Sequence, residues 1–243
     1  MEDFDSFEYE QQNRILTLIG SLYKIHGDTA NGKLYHQQLV DRKLAELANT
    51  TSQEDQLTIT IELAGIHTVI GEFNKQKEYL DQASLIDPND SRILENLGDY
   101  YYYTDQYDSA LSIFKKVEIL NPTDAWAQIN VTNSLVMAGQ AQQGLEKAEG
   151  LIIIYPKLSN LYGNMGLAYL KLKKYTLAKE YFDKTLELKP NNSWVYRWLG
   201  TLYLEQDNKQ KACECFQKAK DINYEVINLK QDLTPLIEQH CKE

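Results

Sequence analysis

The chain has 243 residues, with 35 acidic against 25 basic side chains and a net charge of −10. Hydrophobic residues make up 43% and charged residues 25%, the proportions of a folded globular chain rather than a disordered one. The charge balance disfavours a nucleic-acid partner, which needs a basic footprint. No apolar run approaches the roughly 20 residues that a membrane span requires.

The first ten residues, MEDFDSFEYE, hold five acids and neither Lys nor Arg. They lack the basic and apolar segments of a secretory signal, so a cytoplasmic location is expected, with Met1 as either a true start or the edge of an excised domain. Residues 1–12 read as an acidic flexible tail. Phe4, Phe7 and Tyr9 give it a second reading, as a linear motif for a partner or a segment that fills its own groove. Residues 13–56 read as a stretched N-terminal capping helix pair. Leu16-x2-Ile19-Gly20-x2-Tyr23 marks its first helix, and Lys33 to Asn49 follow as the second after a loop around Gly27-Asp28.

Proline then sets a phase. Pro88, Pro122, Pro156 and Pro190 lie 34 residues apart without drift, and a fixed period of this size signals a stacked repeat. Five units follow: 57–90, 91–124, 125–158, 159–192 and 193–226. Three repeat one pattern closely. Leu94-x2-Leu97-Gly98-x2-Tyr101 leads to Ala110-x3-Phe114. Tyr162-x2-Met165-Gly166-x2-Tyr169 leads to Ala178-x3-Phe182. Tyr196-x2-Leu199-Gly200-x2-Tyr203 leads to Ala212-x3-Phe216. Spacings of 3 and 4 put the large residues on one helix face, and Gly opposite Ala lets a second helix approach. Proline stops that second helix.

The other two units hold the phase with substitutions. Unit 57–90 places Gln76 where Ala is expected. Unit 125–158 places Thr132 at the Gly position and Ala148 at the Phe position, which predicts the loosest packing there. Residues 227–243 read as a C-terminal capping helix interrupted at Thr234-Pro235.

The pattern resembles the tetratricopeptide repeat family. The resemblance implies an all-α fold, a right-handed α-solenoid of helix–turn–helix units with N- and C-terminal capping helices. It also implies that the first helix of each unit lines a concave groove. Counting from the first residue of a unit, positions 2, 6, 9 and 13 face away from the core. Position 6 is Asn96, Asn130 and Asn164 in successive units, then Trp198. Position 2 is Arg92, Trp126, Asn160 and Trp194. Position 9 includes Asp99 and Asn133, and position 13 includes Tyr103, Met137 and Lys171. With Tyr102 and Arg197, these are the expected partner-binding residues. Tyr101 reads as core and Tyr100 is ambiguous.

A primary amide offers two donors and an acceptor, so repeated Asn can bond an extended peptide backbone of any sequence. The arrangement resembles the asparagine ladder in the superhelix of the O-linked N-acetylglucosamine transferase. Trp and Tyr would add side-chain pockets. The alternative is that these Asn side chains bond only to neighbouring helices, and that Trp126 and Trp194 pack on the preceding unit. The carboxylate clamp of chaperone-binding members is not matched: its Lys and Asn positions hold Glu95 and Asp99 in one unit and Ile129 and Asn133 in the next, and Trp194 and Trp198 stand where it needs Lys and Arg.

His26, His36, His67 and His240 show no metal spacing, and no phosphate loop or nucleophile motif is present. Cys213, Cys215 and Cys241 are read as free thiols. The sequence thus predicts a non-catalytic protein-interaction module without cofactor or metal, binding an extended peptide or partner helix. The alternatives are a solenoid that self-associates through its Trp-bearing end and a docking arm of a larger enzyme.

Overall fold

The computed structural model describes residues 9–25, 29–223 and 227–241. Most of the acidic tail, His26 with the Gly27-Asp28 loop, and Tyr224 lie outside them. The described residues form thirteen helices and no strand, an α-solenoid of helix–turn–helix units. They are α1 (Tyr9–Ile25), α2 (Thr29–Asn49), α3 (Gln53–Ile70), α4 (Phe73–Ile86), α5 (Ser91–Tyr103), α6 (Tyr107–Leu120), α7 (Ala125–Met137), α8 (Ala141–Ile154), α9 (Ser159–Lys171), α10 (Tyr175–Leu188), α11 (Ser193–Glu205), α12 (Lys209–Asn223) and α13 (Ile227–His240). Four of them, α5, α7, α9 and α11, open at 34-residue intervals. The chain divides into two compact units, one ending at Tyr100 and one beginning at Tyr101.

Five turns share one device, also repeated every 34 residues. The turn residue is left-handed at Gly71, Asp105, Gly139, Lys173 and Asp207, with φ between 57° and 84°. The next N–H reaches back to the carbonyl five residues earlier: Glu72 to His67, Gln106 to Tyr101, Gln140 to Leu135, Lys174 to Tyr169 and Asn208 to Tyr203, at 2.8–2.9 Å. This is the 6→1 bond of a Schellman motif, which satisfies the last carbonyls of the first helix. Only two of the five positions are glycine, so three L residues accept a conformation that costs them about 1 kcal/mol.

In the first unit, Leu57, Ile61, Ala64, Leu80, Ala83 and Ile93 form one buried cluster and Val40, Ile59, Leu63 and Ile70 another. Gly20 is required by a close approach: a Cβ there would stand 2.7 Å from the buried His36 ring. Gln76 is fully buried, and its amide has no hydrogen-bond partner among the described residues. His67 is buried, accepts the stacked Tyr79 ring at 5.3 Å, and sits 3.0 Å from Glu72 through Nδ1. Loss of hydration lowers its pKa, against the pull of Glu72, and keeps it neutral.

In the second unit, the largest cluster joins α7 to α11 around Met165, Leu170, Phe182 and Leu199. Gly166 and Gly200 face the rings of Phe182 and Phe216, where an added Cβ would stand 2.5 and 2.3 Å away. The expected looseness of residues 125–158 is not found. The small residue has moved to the other helix: Gly144 meets Val136, 2.5 Å from where its Cβ would be, and the backbone of Thr132 at 3.1 Å. Thr132, Val136 and Ala148 have no exposed surface. The Thr132 hydroxyl donates to the Gln128 carbonyl at 2.8 Å.

Two further expectations are corrected. α13 runs through Pro235 rather than breaking there. Leu233, Leu236 and Ile237 pack on α12 on both sides of the proline, which offsets its lost N–H. Cys213 and Cys241 are not free thiols but a disulfide, with Cα atoms 5.6 Å apart, a separation that such a bond bridges. Packing of α13 on α12 brings together residues 28 apart in sequence. Cys215 remains free, and burial pushes its thiol up to about 11.

Candidate functional site

The second unit contains a cavity of about 270 Å³ built mainly from first helices. Core residues hold each helix by one face, and α9 packs against both α7 and α11, so the opposite faces form a continuous wall. Onto that wall project Tyr102 and Tyr103 from the end of α5, Asn130 and Asn133 from α7, Asn160 and Asn164 from α9, and Trp194 and Trp198 from α11. Eight of the fifteen residues expected from the sequence are thereby brought together.

Their hydrogen bonds divide the amides into braced and open ones. Asn133 donates to the Tyr102 hydroxyl at 3.0 Å and fixes that ring on the wall. Asn164 donates to the Ile129 carbonyl of the preceding first helix at 3.3 Å. Asn160 accepts from Ser159 at 3.4 Å. Asn130 has no hydrogen bond to any described residue and is only partly buried, so its donors and acceptor face solvent or a ligand. Trp198 carries two cations: the Arg197 guanidinium lies 3.8 Å from its ring centre and the Lys171 ammonium 5.9 Å. Each contact at an exposed site stabilises by about 0.5–1 kcal/mol and stiffens the indole. Among the described residues, Lys189 is the one charged residue on the cavity wall, and no carboxylate lines it.

The remaining expected residues lie elsewhere. Trp126 is 57% exposed in the first turn of α7, whose N-cap Asp124 accepts the Trp126 N–H at 2.9 Å, and it is not on the cavity wall. Met137 packs against the core. Lys171 and Arg197 reach the site only through Trp198. Arg92, Asn96 and Asp99 belong to the first unit. There Arg92 pairs with Asp90 at 2.6 Å, and Asn96 turns back to the Arg92 carbonyl at 2.7 Å. Asp99 is half-buried, and its carboxyl is pushed up to about 6, chiefly by lost hydration and then by Glu95.

Sequence reasoning missed Ile129, Gly163, Lys189, Asn192 and Val195. Ile129 and Gly163 share position 5 of their units, one step from the asparagine stripe, and that phase was available. Lys189 and Asn192 come from the segment before α11, where no helical periodicity applies. Asn192 also caps α11 by accepting the Val195 N–H at 3.3 Å.

The first unit has its own concavity of about 670 Å³ between α1, α2 and α3, floored by Leu39 and Ile66 and crossed by a Lys43–Glu62 ion pair at 2.8 Å. Among the described residues, no cluster of three His, Cys, Asp or Glu could hold a metal, and no helix is long and apolar enough to cross a membrane.

Comparison with known proteins agrees with the repeat geometry. Two tetratricopeptide repeat family models match residues 159–192 and 181–214. The chain is 25% identical over 167 residues to protein O-mannosyl-transferase TMTC1 of Homo sapiens, covering 67% of this chain and 19% of that protein. It is 24% identical over 188 residues to anaphase-promoting complex subunit 6 of Arabidopsis thaliana, covering 76% of this chain and 34% of that protein. It therefore spans about a fifth to a third of the length of these relatives. The crystal structure of a tetratricopeptide repeat protein from Parabacteroides merdae superposes with a TM-score of 0.71 over 91% of this chain and 83% of that one, at 21% identity. With helix pairs recurring every 34 residues and turns closed by one repeated backbone bond, the chain belongs to the tetratricopeptide repeat family.

Proposed function

We propose that the second unit is a non-catalytic docking module that holds an extended peptide or a partner helix in the cavity along α7, α9 and α11. Proteins built from this repeat act in general as interaction scaffolds, and the further step rests on the lining. Five asparagines and four aromatic rings converge on one concave wall, and Asn130 keeps its full hydrogen-bonding capacity open. Amides address a peptide backbone, and the braced Tyr102 and Trp198 give rigid apolar contacts at little entropic cost. The absence of carboxylates from the wall, in a chain of net charge −10, favours ligands that are neutral or acidic.

Selection from a random peptide library tests this. Wild-type protein is compared with an Asn130→Ala, Asn164→Ala, Trp198→Ala variant of equal helicity. Peptides enriched by the wild type and bound at least about 10-fold more weakly by the variant are expected, a loss of about 1.4 kcal/mol or more. Equal binding by both would remove the cavity as the site.

A further inference from the structure

The outer ends of the second helices carry an apolar feature that the docking cavity does not use. Position 29 of each unit lies near the end of its second helix. It is Leu85, Ile119 and Ile153 in three successive units, then Glu187 and Asp221. The three aliphatic side chains are 87%, 78% and 83% exposed. Exposed helical positions favour charged residues, as the last two units show.

Within the second unit the two isoleucines belong to one patch. Glu118, next to Ile119, bonds Lys147 of α8 at 2.5 Å, and the Tyr155 hydroxyl that ends α8 donates to the Thr123 carbonyl just beyond α6 at 3.3 Å. The ends of α6 and α8 therefore lie side by side. Leu120 and Ile154 widen the patch at 49% and 64% exposure. Together the four side chains leave about 500 Å² of surface open, near the upper limit for a monomer and more than half of the roughly 800 Å² that each partner buries in a standard interface.

The flanking charges say what fits. One turn before each isoleucine, on the same helix face, stand Lys115 on α6 and Glu149 on α8. Both are exposed, and neither makes a hydrogen bond or ion pair with a described residue. A surface with isoleucine at both positions and opposite charges beside them is complementary to itself. A two-fold axis that sets α6 of one copy on α8 of the other pairs isoleucine with isoleucine and lysine with glutamate, twice.

We propose that this chain forms a symmetric homodimer through the Ile119–Ile153 patch at the ends of α6 and α8. Sedimentation velocity on the full chain between about 1 and 200 μM tests it. The wild type is expected to pass from 28.1 kDa to twice that mass. Ile119→Glu with Ile153→Glu, which copies the acids of the last two units and so should leave the fold intact, is expected to weaken association about 100-fold or more. Lys115→Glu alone should weaken it about 10-fold, and adding Glu149→Lys should restore it. These two surface changes test the interface even if the double isoleucine variant fails to fold. A wild type that stays monomeric, a dimer that survives the isoleucine changes, or a charge swap that restores nothing would each overturn the proposal.

Discussion

Two glycines three residues apart on α9 should respond oppositely to the same added methyl group. At Gly166 the new Cβ would stand 2.5 and 2.6 Å from Cδ1 and Cε1 of Phe182. Carbon atoms normally settle at about 3.5–4.0 Å, so the ring must retreat by roughly 1 Å. Phe182 is fully buried in the cluster that joins α7 to α11, and no open space receives it. Overpacking of this kind costs about 1–3 kcal/mol, and the upper end applies; the better helix propensity of alanine returns about 1. Gly166→Ala should therefore destabilise by about 2 kcal/mol, seen as a lower urea midpoint with unchanged slope in circular dichroism at 222 nm. At Gly163 the nearest atoms would be the Thr185 side chain at 3.7 Å, ordinary contact distance. Gly163→Ala should stabilise by about 0.5–1 kcal/mol through helix propensity alone. Because Gly163 lines the cavity, the same change should weaken peptide binding while strengthening the fold. A Gly166→Ala protein as stable as the wild type would refute the reasoning, since the Phe182 ring would then have room that the packing denies it.

Asp99→Asn should stabilise the protein at neutral pH. The folded carboxyl keeps its proton up to about 6, against an ordinary value of 3.8, so stability falls as pH rises through that window. The full effect of such a shift is about 3 kcal/mol; with partial exposure, about 1–2 is expected, and the variant's melting temperature should lose its dependence on pH between 4 and 6. Replacing Lys173 by Gly relieves a left-handed φ of 57° and should add up to about 0.5 kcal/mol after the entropy of the unfolded glycine is deducted, whereas Gly139→Ala, at φ 81°, should cost about 1; paired urea titrations decide both signs. Gln76→Met should raise the urea midpoint by the equivalent of about 1–2 kcal/mol, because it removes a buried amide without partners at nearly equal volume. A lower midpoint would mean that the amide is bonded.

The phase of the fold was readable because its determinants are local. Proline ends the second helices, glycine and alanine mark the close approaches, and both recur within one unit. The cavity wall was readable only in part: Asn130, Asn164, Trp194 and Trp198 follow from helical periodicity. What escaped depends on tertiary contact. The Cys213–Cys241 bond exists because α13 docks on α12, and neither cysteine's neighbours in sequence announce that. Pro235 lies inside a helix because apolar packing on both sides outweighs its local preference. Trp126 shares its repeat position with Trp194, but Trp194 packs against the cluster of α12 and α13 whereas Trp126 stays exposed and off the wall. Thr132 read as a defect because its compensation, Gly144, sits twelve residues later on the opposing helix.

That compensation bears on how such an array can grow or be shuffled. A recombination event that cuts between units, near Pro122 or Pro156, transfers α7 with α8 and preserves their fit. A cut at Gly139, between the two helices, would mate Thr132 with an alanine from another unit, or Gly144 with a glycine. The first hybrid is overfilled by a methyl group and the second leaves a gap of comparable size. Inheritance in this region is therefore quantised: the helix pair is the smallest segment that can be exchanged without a second, correcting mutation.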